Sequence, residues 1–245
     1  MPLSTPSHPR TLIFMDEAQR WWLDPGFIAF DTETTGTSPD SDRIVTAAAV
    51  HFREGQPIAS RSWLLRVDVP IPPRATEVHG ITDEMSQGQG IDQATALAEI
   101  QSFLTSSGVA LIAFNSSFDV AMLEANLARH GLPALRDTSL RPPVICPYVL
   151  DKQFNKYVRG KNQRRLMPTI ERYGLSFDEA NWHGAEADAT ITGQLFLAQF
   201  DAYEAMRGLS AEQLSEQVDT WREQQDAEFH AWLAAKRAEE GTTSA

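Results

Sequence analysis

The stretch Phe27–Gly36, FIAFDTETTG, decides how the rest of the chain is read. Phe27, Ile28, Ala29 and Phe30 form a short apolar run of the kind that predicts a buried strand. Asp31 and Glu33 follow at its end, and Thr34-Thr35-Gly36 break it. Alternate side chains of a strand share a face, so the two carboxylates point the same way. Like charges crowded at the end of a buried strand repel unless a cation lies between them. An all-oxygen site of this kind suits a hard divalent ion, Mg²⁺ or Mn²⁺. A second Asp-x-Glu, Asp226 and Glu228, falls in a polar helical tail and reads as solvated surface. The pattern alone is common in an acidic chain, so the first pair needs partners elsewhere.

The chain has 245 residues, 42% of them hydrophobic, enough for one domain with a real core plus extensions. The single cysteine, Cys146, excludes an internal disulfide and a multi-cysteine zinc site and fits a reducing compartment. The opening MPLSTPSHPR has no apolar signal region, and no apolar run approaches the roughly 20 residues of a membrane helix. A soluble, cytoplasmic protein with no membrane partner is the expectation. A net charge of −12 argues against a nucleic-acid partner if taken globally. The charge is uneven, however. Residues 201–245 hold ten acids and four bases, whereas Lys152, Lys156, Arg159, Lys161, Arg164 and Arg165 form a run with no acid between them.

Asp24-Pro25-Gly26 is a turn signal ahead of the first strand, after a short helix over 15–23 that packs Trp21 and Trp22 on the domain. Ile44–Phe52 and Ser60–Val67 predict strands joined by a turn at 53–57, completing a meander. Val69–Pro73 reads as a proline-rich loop running into EVHGIT, Glu77–Thr82. Apolar spacing predicts a helix over 91–103, a strand over 109–114, a helix over 118–129, a short strand at 144–146, and helices over 150–157, 168–173 and 185–200. A meander followed by strand–helix alternation gives an α/β domain with a mixed sheet. The expected organisation is an N-terminal segment 1–25, a domain 26–200 and an acidic helical tail 201–245. In the tail, Leu209, Leu214, Val218, Trp221, Phe229 and Trp232 make a helical stripe interrupted by Gln225. Such a stripe packs on its own domain or forms a dimer or partner surface.

Two further motifs join the first. Asp119 closes Asn115-Ser-Ser-Phe118-Asp119 just after the second apolar strand, and His183 precedes Asp188 by five residues where the last domain helix opens. FDTETTG, NSSFD and HGAEAD, in this order and spacing, resemble the DEDDh-type 3′→5′ exonucleases, the DnaQ-like family that includes the proofreading subunit of bacterial replicative polymerases. The resemblance covers about residues 26–200. It implies a ribonuclease H-like fold with a five-stranded mixed sheet flanked by helices, to which the tail adds a C-terminal helical extension. It further implies that Asp31, Glu33, Asp119 and Asp188 hold two divalent cations, Mg²⁺ or Mn²⁺, and that His183 is the general base toward the attacking water. A histidine with an ordinary pKa of about 6.5 is mostly neutral at pH 7–8 and can take that proton.

The same resemblance matches Thr34, Thr35, Gly36 and His79 to contacts near the scissile end, and Asn115 belongs to its second motif. Asn115 and Phe118 are candidate substrate contacts, Phe118 lining the cleft or, the better reading, packing in the core, and His51 and His130 are read as structural. Arg159, Lys161, Arg164 and Arg165 are the expected phosphate-tracking surface. The family's histidine before the second-motif asparagine is here Phe114, and the tail has no counterpart. The function expected is release of nucleoside monophosphates from single-stranded DNA 3′ ends, with a DNA polymerase, or a second copy bound through the C-terminal helix, as partners. An RNA exonuclease of the same family and a catalytically silent binding module are the alternatives.

Overall fold

In the computed structural model the described residues are 21–139, 141–176 and 184–243, with side chains as far as 237. The sheet consists of β1 (Phe27–Thr34), β2 (Ile44–Arg53), β3 (Gln56–Arg66), β4 (Ile91–Asp92), β5 (Ala110–Ile112) and β6 (Val144–Ile145), in the spatial order β4-β3-β2-β1-β5-β6. The first three strands are the antiparallel meander read from the sequence, turning at Glu54 and Gly55, both with positive φ. A two-residue turn of that hand matches the twist of the strands it joins. β5 and β6 run parallel to β1, so the sheet is mixed.

The helices are α1 (Pro73–His79), α2 (Asp83–Gln89), α3 (Gln93–Thr105), α4 (Ser116–Arg129), α5 (Pro147–Phe154), α6 (Leu166–Arg172), α7 (Ala185–Ala202) and α8 (Ala211–Thr243). Strand alternation divides them between two faces. Phe27 and Ala29 share a cluster with Ala48, Val50, Phe52 and residues of α5, α7 and α8. Ile28 and Phe30 share the other with Ala47, Ala49, Trp63, Leu65 and residues of α3 and α4. Phe27 stacks on Phe52 at 5.0 Å, and Phe196 of α7 meets Phe27 edge-on at 5.1 Å. Each fully buried side chain of this size contributes about 1.5–3 kcal/mol. α7 lies close against this pair only because residue 193 is glycine, where a Cβ would come within 2.3 Å of the Phe52 ring. Gly26, at φ +90°, is required just as strictly, because a Cβ there would collide with the Phe52 carbonyl.

Two expectations need correction. The sheet has six strands rather than five, because Ile91 and Asp92 pair with Leu65 and Arg66 instead of opening a helix. The Asp92 side chain accepts from Thr95 N–H at 3.1 Å, which makes it the N-cap and starts α3 at Gln93. The expected loop at 69–73 ends in a helix, since α1 begins at Pro73 and the chain leads on into α2. Both helices have seven residues, too few for an apolar period, although proline at the start of α1, left-handed Gly80 after it and the Thr82 cap of α2 are ordinary end signals.

The core does not stop at residues 25 and 200. Trp21 is buried among Phe196 and Phe200, and its indole donates to Leu209 O at 3.1 Å. Trp22 packs on Phe200, while residues 15–20 of the expected first helix lie outside the described residues. Leu214 and Val218 of α8 are fully buried in the same cluster as Phe27, with Leu209 and Trp221 packed against it. Gln225 is buried too and donates to Val149 O at 3.2 Å, so it continues the packed face. Phe229 and Trp232 are about half exposed. Among the described residues no helix is long and apolar enough to cross a membrane.

Candidate active site

The meander β1–β2–β3 lies to one side of β1 and β5 to the other, so the chain switches direction across the sheet at β1. Crevices of α/β sheets open at such a switch, beyond the carboxyl ends of the strands. Asp31 and Glu33 stand at that end of β1 and, like Phe27 and Ala29, face α7. Asp188 lies in the first turn of α7, its N–H donating to Gly184 O at 3.1 Å. Carboxylate oxygens of Asp31, Glu33 and Asp188 all lie within 4.8 Å of one another, each side chain partly buried.

Asp119 comes from the other face. Three residues beyond β5, a left-handed Asn115 (φ 60°, ψ 46°) turns the chain into α4 and sets Asp119 in its first turn. Asparagine tolerates that conformation better than most residues. Asp119 is buried, and Thr32, whose side chain is on the α4 face, donates to its Oδ1 at 2.7 Å. The three-carboxylate group does not include Asp119, which stands beside it but close enough to act on its charge.

Burial, then the charges of Asp119, Asp188 and Glu33, raise the Asp31 carboxyl well above its ordinary range. Burial and the charges of Asp188 and Asp119 push Glu33 up to about 7. Burial pushes Asp188 up to about 6, and Asp119 to about 7 against the opposing Thr32 bond. Among the described residues no lysine or arginine forms an ion pair with any of the four. Asp188 Oδ1 is buried with no hydrogen-bond partner among the described residues. In an acidic crevice, an ion or water is the natural partner for such an atom. His183 lies outside the described residues.

The other candidates separate into engaged and open groups. Thr35 is buried, with its hydroxyl donating to Asp42 at 3.2 Å and accepting from Arg43 N–H at 3.0 Å. Thr34 donates to Gly36 O at 2.6 Å. Gly36 is accounted for by Asp42, whose carboxylate would lie 2.5 Å from a Cβ. His79, matched by the resemblance to a contact near the scissile end, ends α1 and is buried. Its Nδ1 accepts from Ile81 N–H at 3.1 Å, which leaves the proton of the neutral ring on Nε2. Nε2 is buried without a bond of normal geometry. Burial lowers the His79 pKa, with the nearby Thr34 backbone in weaker opposition. Asn115 is exposed, and Phe118 packs on the α3–α4 core as expected. Phe114 packs edge-on against Tyr148 and joins Ile170, Ile191 and Leu195 in an apolar cluster.

The basic run is not one patch. Arg164 donates to buried Asp151 at 2.8 Å, as does Arg172, so it is a structural partner rather than an open phosphate contact. Lys152 leans on the Tyr148 ring, with Asp226 and Glu228 of the tail acting on its charge. Lys156, Arg159, Lys161 and Arg165 are exposed. Several site contacts carry no local sequence signal. Glu186 accepts from Ser60 and Ser62 at 2.7 and 2.8 Å, fastening α7 to β3 two residues before Asp188. Arg222 of α8 donates at 2.9 Å to Ser116, the first residue of α4.

Fold and site together define an α/β protein with an acidic, cation-poor crevice at a topological switch. A family model described as exonuclease, of the ribonuclease T type, matches residues 28–196, and the chain belongs to that exonuclease family. The DNA polymerase III subunit epsilon of Treponema pallidum is 32% identical over 170 residues, covering 69% of this chain and 74% of the relative. The PolC-type DNA polymerase III of Streptococcus thermophilus is 31% identical over 193 residues, covering 78% of this chain but only 12% of that much longer protein. Among solved structures, Escherichia coli exonuclease I in complex with a dT13 oligonucleotide aligns with a TM-score of 0.63 at 20% identity, covering 74% of this chain and 42% of that one. Exonuclease X in complex with 5′ overhanging duplex DNA aligns with a TM-score of 0.56 at 23% identity, covering 78% and 99%. The fold is shared with both.

Proposed function

We propose that this exonuclease is metal-dependent and works in the 3′→5′ direction, hydrolysing phosphodiester bonds at single-stranded DNA 3′ ends and releasing nucleoside monophosphates. The observation that carries the reading is the cluster of Asp31, Glu33 and Asp188, crowded within 4.8 Å with raised pKa values and an Asp188 oxygen that has no partner among the described residues. That donor set fits hard divalent cations, Mg²⁺ or Mn²⁺. Two bound ions would lower the pKa of an attacking water, neutralise charge growing on the phosphoryl oxygens and stabilise the departing alkoxide.

The chain's own residues supply the rest. Asp31, Glu33 and Asp188 would hold the ions, and Thr32 fixes the carboxylate of Asp119 as the fourth acid. His183 takes the proton of the attacking water at a ring nitrogen. His79, with its buried Nε2 near the Thr34 backbone, supports the end of β1 where the terminal nucleotide would lie. The polarity and the DNA substrate are supported by the motif order, by the relative named subunit epsilon, and by the fold-mate solved with oligothymidylate. Association with a replicative polymerase in the cytoplasm is part of the same proposal, supported by the polymerase names of the relatives.

A gel of 5′-labelled single-stranded DNA with Mg²⁺, Mn²⁺ or EDTA tests it. A metal-dependent ladder shortening from the 3′ end, absent in Asp31→Ala, is the expected result. An intact DNA band beside a shortened RNA one would replace the substrate, and intact bands for both would overturn the reading.

A further inference from the structure

The loop 155–165 between α5 and α6 combines three properties found together nowhere else among the described residues. Tyr157 is 88% exposed, the most exposed of the large hydrophobic side chains described. Lys156, Arg159, Lys161 and Arg165 are exposed around it in sequence, in a chain of net charge −12. The loop's two ends are nevertheless fastened. Arg164 Nη1 donates to Asp151 and Nη2 to Asn155 O, both at 2.8 Å, so the last turn of the loop is tied back to its first residue. Arg172 donates to Asp151 at 2.8 Å and to Gln163 O at 2.6 Å. Asn155 donates to the hydroxyls of Tyr173 and Tyr203 at 2.8 and 2.9 Å.

A singly exposed aromatic is ordinary on a protein surface, so what marks Tyr157 is its company of four exposed bases on a loop fastened at both ends. An aromatic set among bases is what a single strand recognises, since every base has a face to stack and every linkage a charge to neutralise. The segment that follows the loop leads toward the helix that carries Asp188. Leu166 and Met167, which follow Arg165, pack with Ile191, one turn beyond Asp188.

We propose that loop 155–165 is a binding platform for single-stranded nucleic acid, in which Tyr157 stacks on a base and Lys156, Arg159, Lys161 and Arg165 take the flanking phosphates. The proposal rests on the nuclease reading for its biological sense, but its test does not require hydrolysis. Binding of fluorescent oligothymidylate to the full chain is followed by anisotropy in EDTA, beside an abasic strand of the same length. Tyr157→Ala should weaken binding of oligothymidylate about tenfold, within the range seen when a stacking aromatic is removed. Tyr157→Phe should restore it, and the abasic strand should bind wild type and Tyr157→Ala alike. Equal affinity of wild type and Tyr157→Ala for oligothymidylate would overturn the platform. So would an equal loss on the abasic strand, because a purely structural role would weaken both. Cleavage is read separately with Mn²⁺. A protein that binds through Tyr157 but cuts nothing keeps the platform and loses the nuclease reading.

Discussion

Asp151 and the acids at the end of β1 are both carboxylates withdrawn from water, and the chain treats them in opposite ways. Asp151 is 1% exposed and receives Arg164 and Arg172 at 2.8 Å each, with Asn155 on its other oxygen at 3.0 Å. Its charge is compensated from within, and the reward is structural, because the pair closes the α5–α6 loop. Asp31, Glu33, Asp119 and Asp188 have no such arginine among the described residues, and all four are displaced toward the protonated form. Burial of charge is therefore not the mark of the site. Burial without an internal counter-charge is, since the acids must then take up protons or a cation from solution to be neutralised.

The contrast is broken most directly at Asp31. Asp31→Ala should lower hydrolysis at least a thousandfold, above about 4 kcal/mol of barrier, while circular dichroism stays native. Loss of activity together with loss of the native spectrum would make Asp31 a structural acid of the Asp151 kind. At Asp151 the expectation reverses. Asp151→Asn leaves two arginines without their partner and should cost about 3–5 kcal/mol in urea melts, and Arg164→Glu should destabilise comparably by opposing Asp151. An unchanged midpoint in both would show that the pair adds nothing.

The pH dependence sharpens the comparison at a smaller scale. A carboxyl whose folded pKa lies above its unfolded one binds more protons in the native state, so its contribution is present below the ordinary pKa of about 4 and is lost as pH rises. With Glu33 and Asp119 at about 7 and Asp188 at about 6, the metal-free protein should lose stability between about pH 4 and 7. Saturating Mn²⁺ at pH 8 should return about 2–3 kcal/mol, as for any ligand near a hundredfold above its Kd. Thermal melts in EDTA and Mn²⁺ across that range check both parts, and a metal-free protein that gained stability toward pH 8 would contradict the first. Smallest is the loop. Charge reversal at Arg159, Lys161 or Arg165 should flatten the salt dependence of oligonucleotide binding by about 0.7 in slope per lost contact. An unchanged slope would return those residues to solvated surface.

The site was legible where chemistry follows a local rule. Period two placed Asp31 and Glu33 on one face, and motif order joined them to Asp188 before any contact was seen. What stayed hidden depends on partners far away in sequence. Thr32 lies between two acids of the opposite face, and nothing local says that its hydroxyl reaches Asp119, 87 residues on. The run from Lys152 to Arg165 was counted as free charge because Asp151, one residue before it, gives no sign that it claims Arg164. Gln225 looked like a break in an apolar stripe, yet it closes a bond to the Val149 backbone. α1 and α2 were missed for brevity rather than for lack of end signals, and the sixth strand because a two-residue pairing looks like the start of α3.

The central claim is that the β1 acids are destabilising without a cation whereas Asp151 is stabilising without one. Melting wild type, Asp31→Asn and Asp151→Asn side by side at pH 8 in EDTA tests it in one experiment. Asp31→Asn should melt at or above the wild-type temperature, and Asp151→Asn well below it. If Asp31→Asn also melted well below wild type, the acids of the crevice would be structural, and the account would fail.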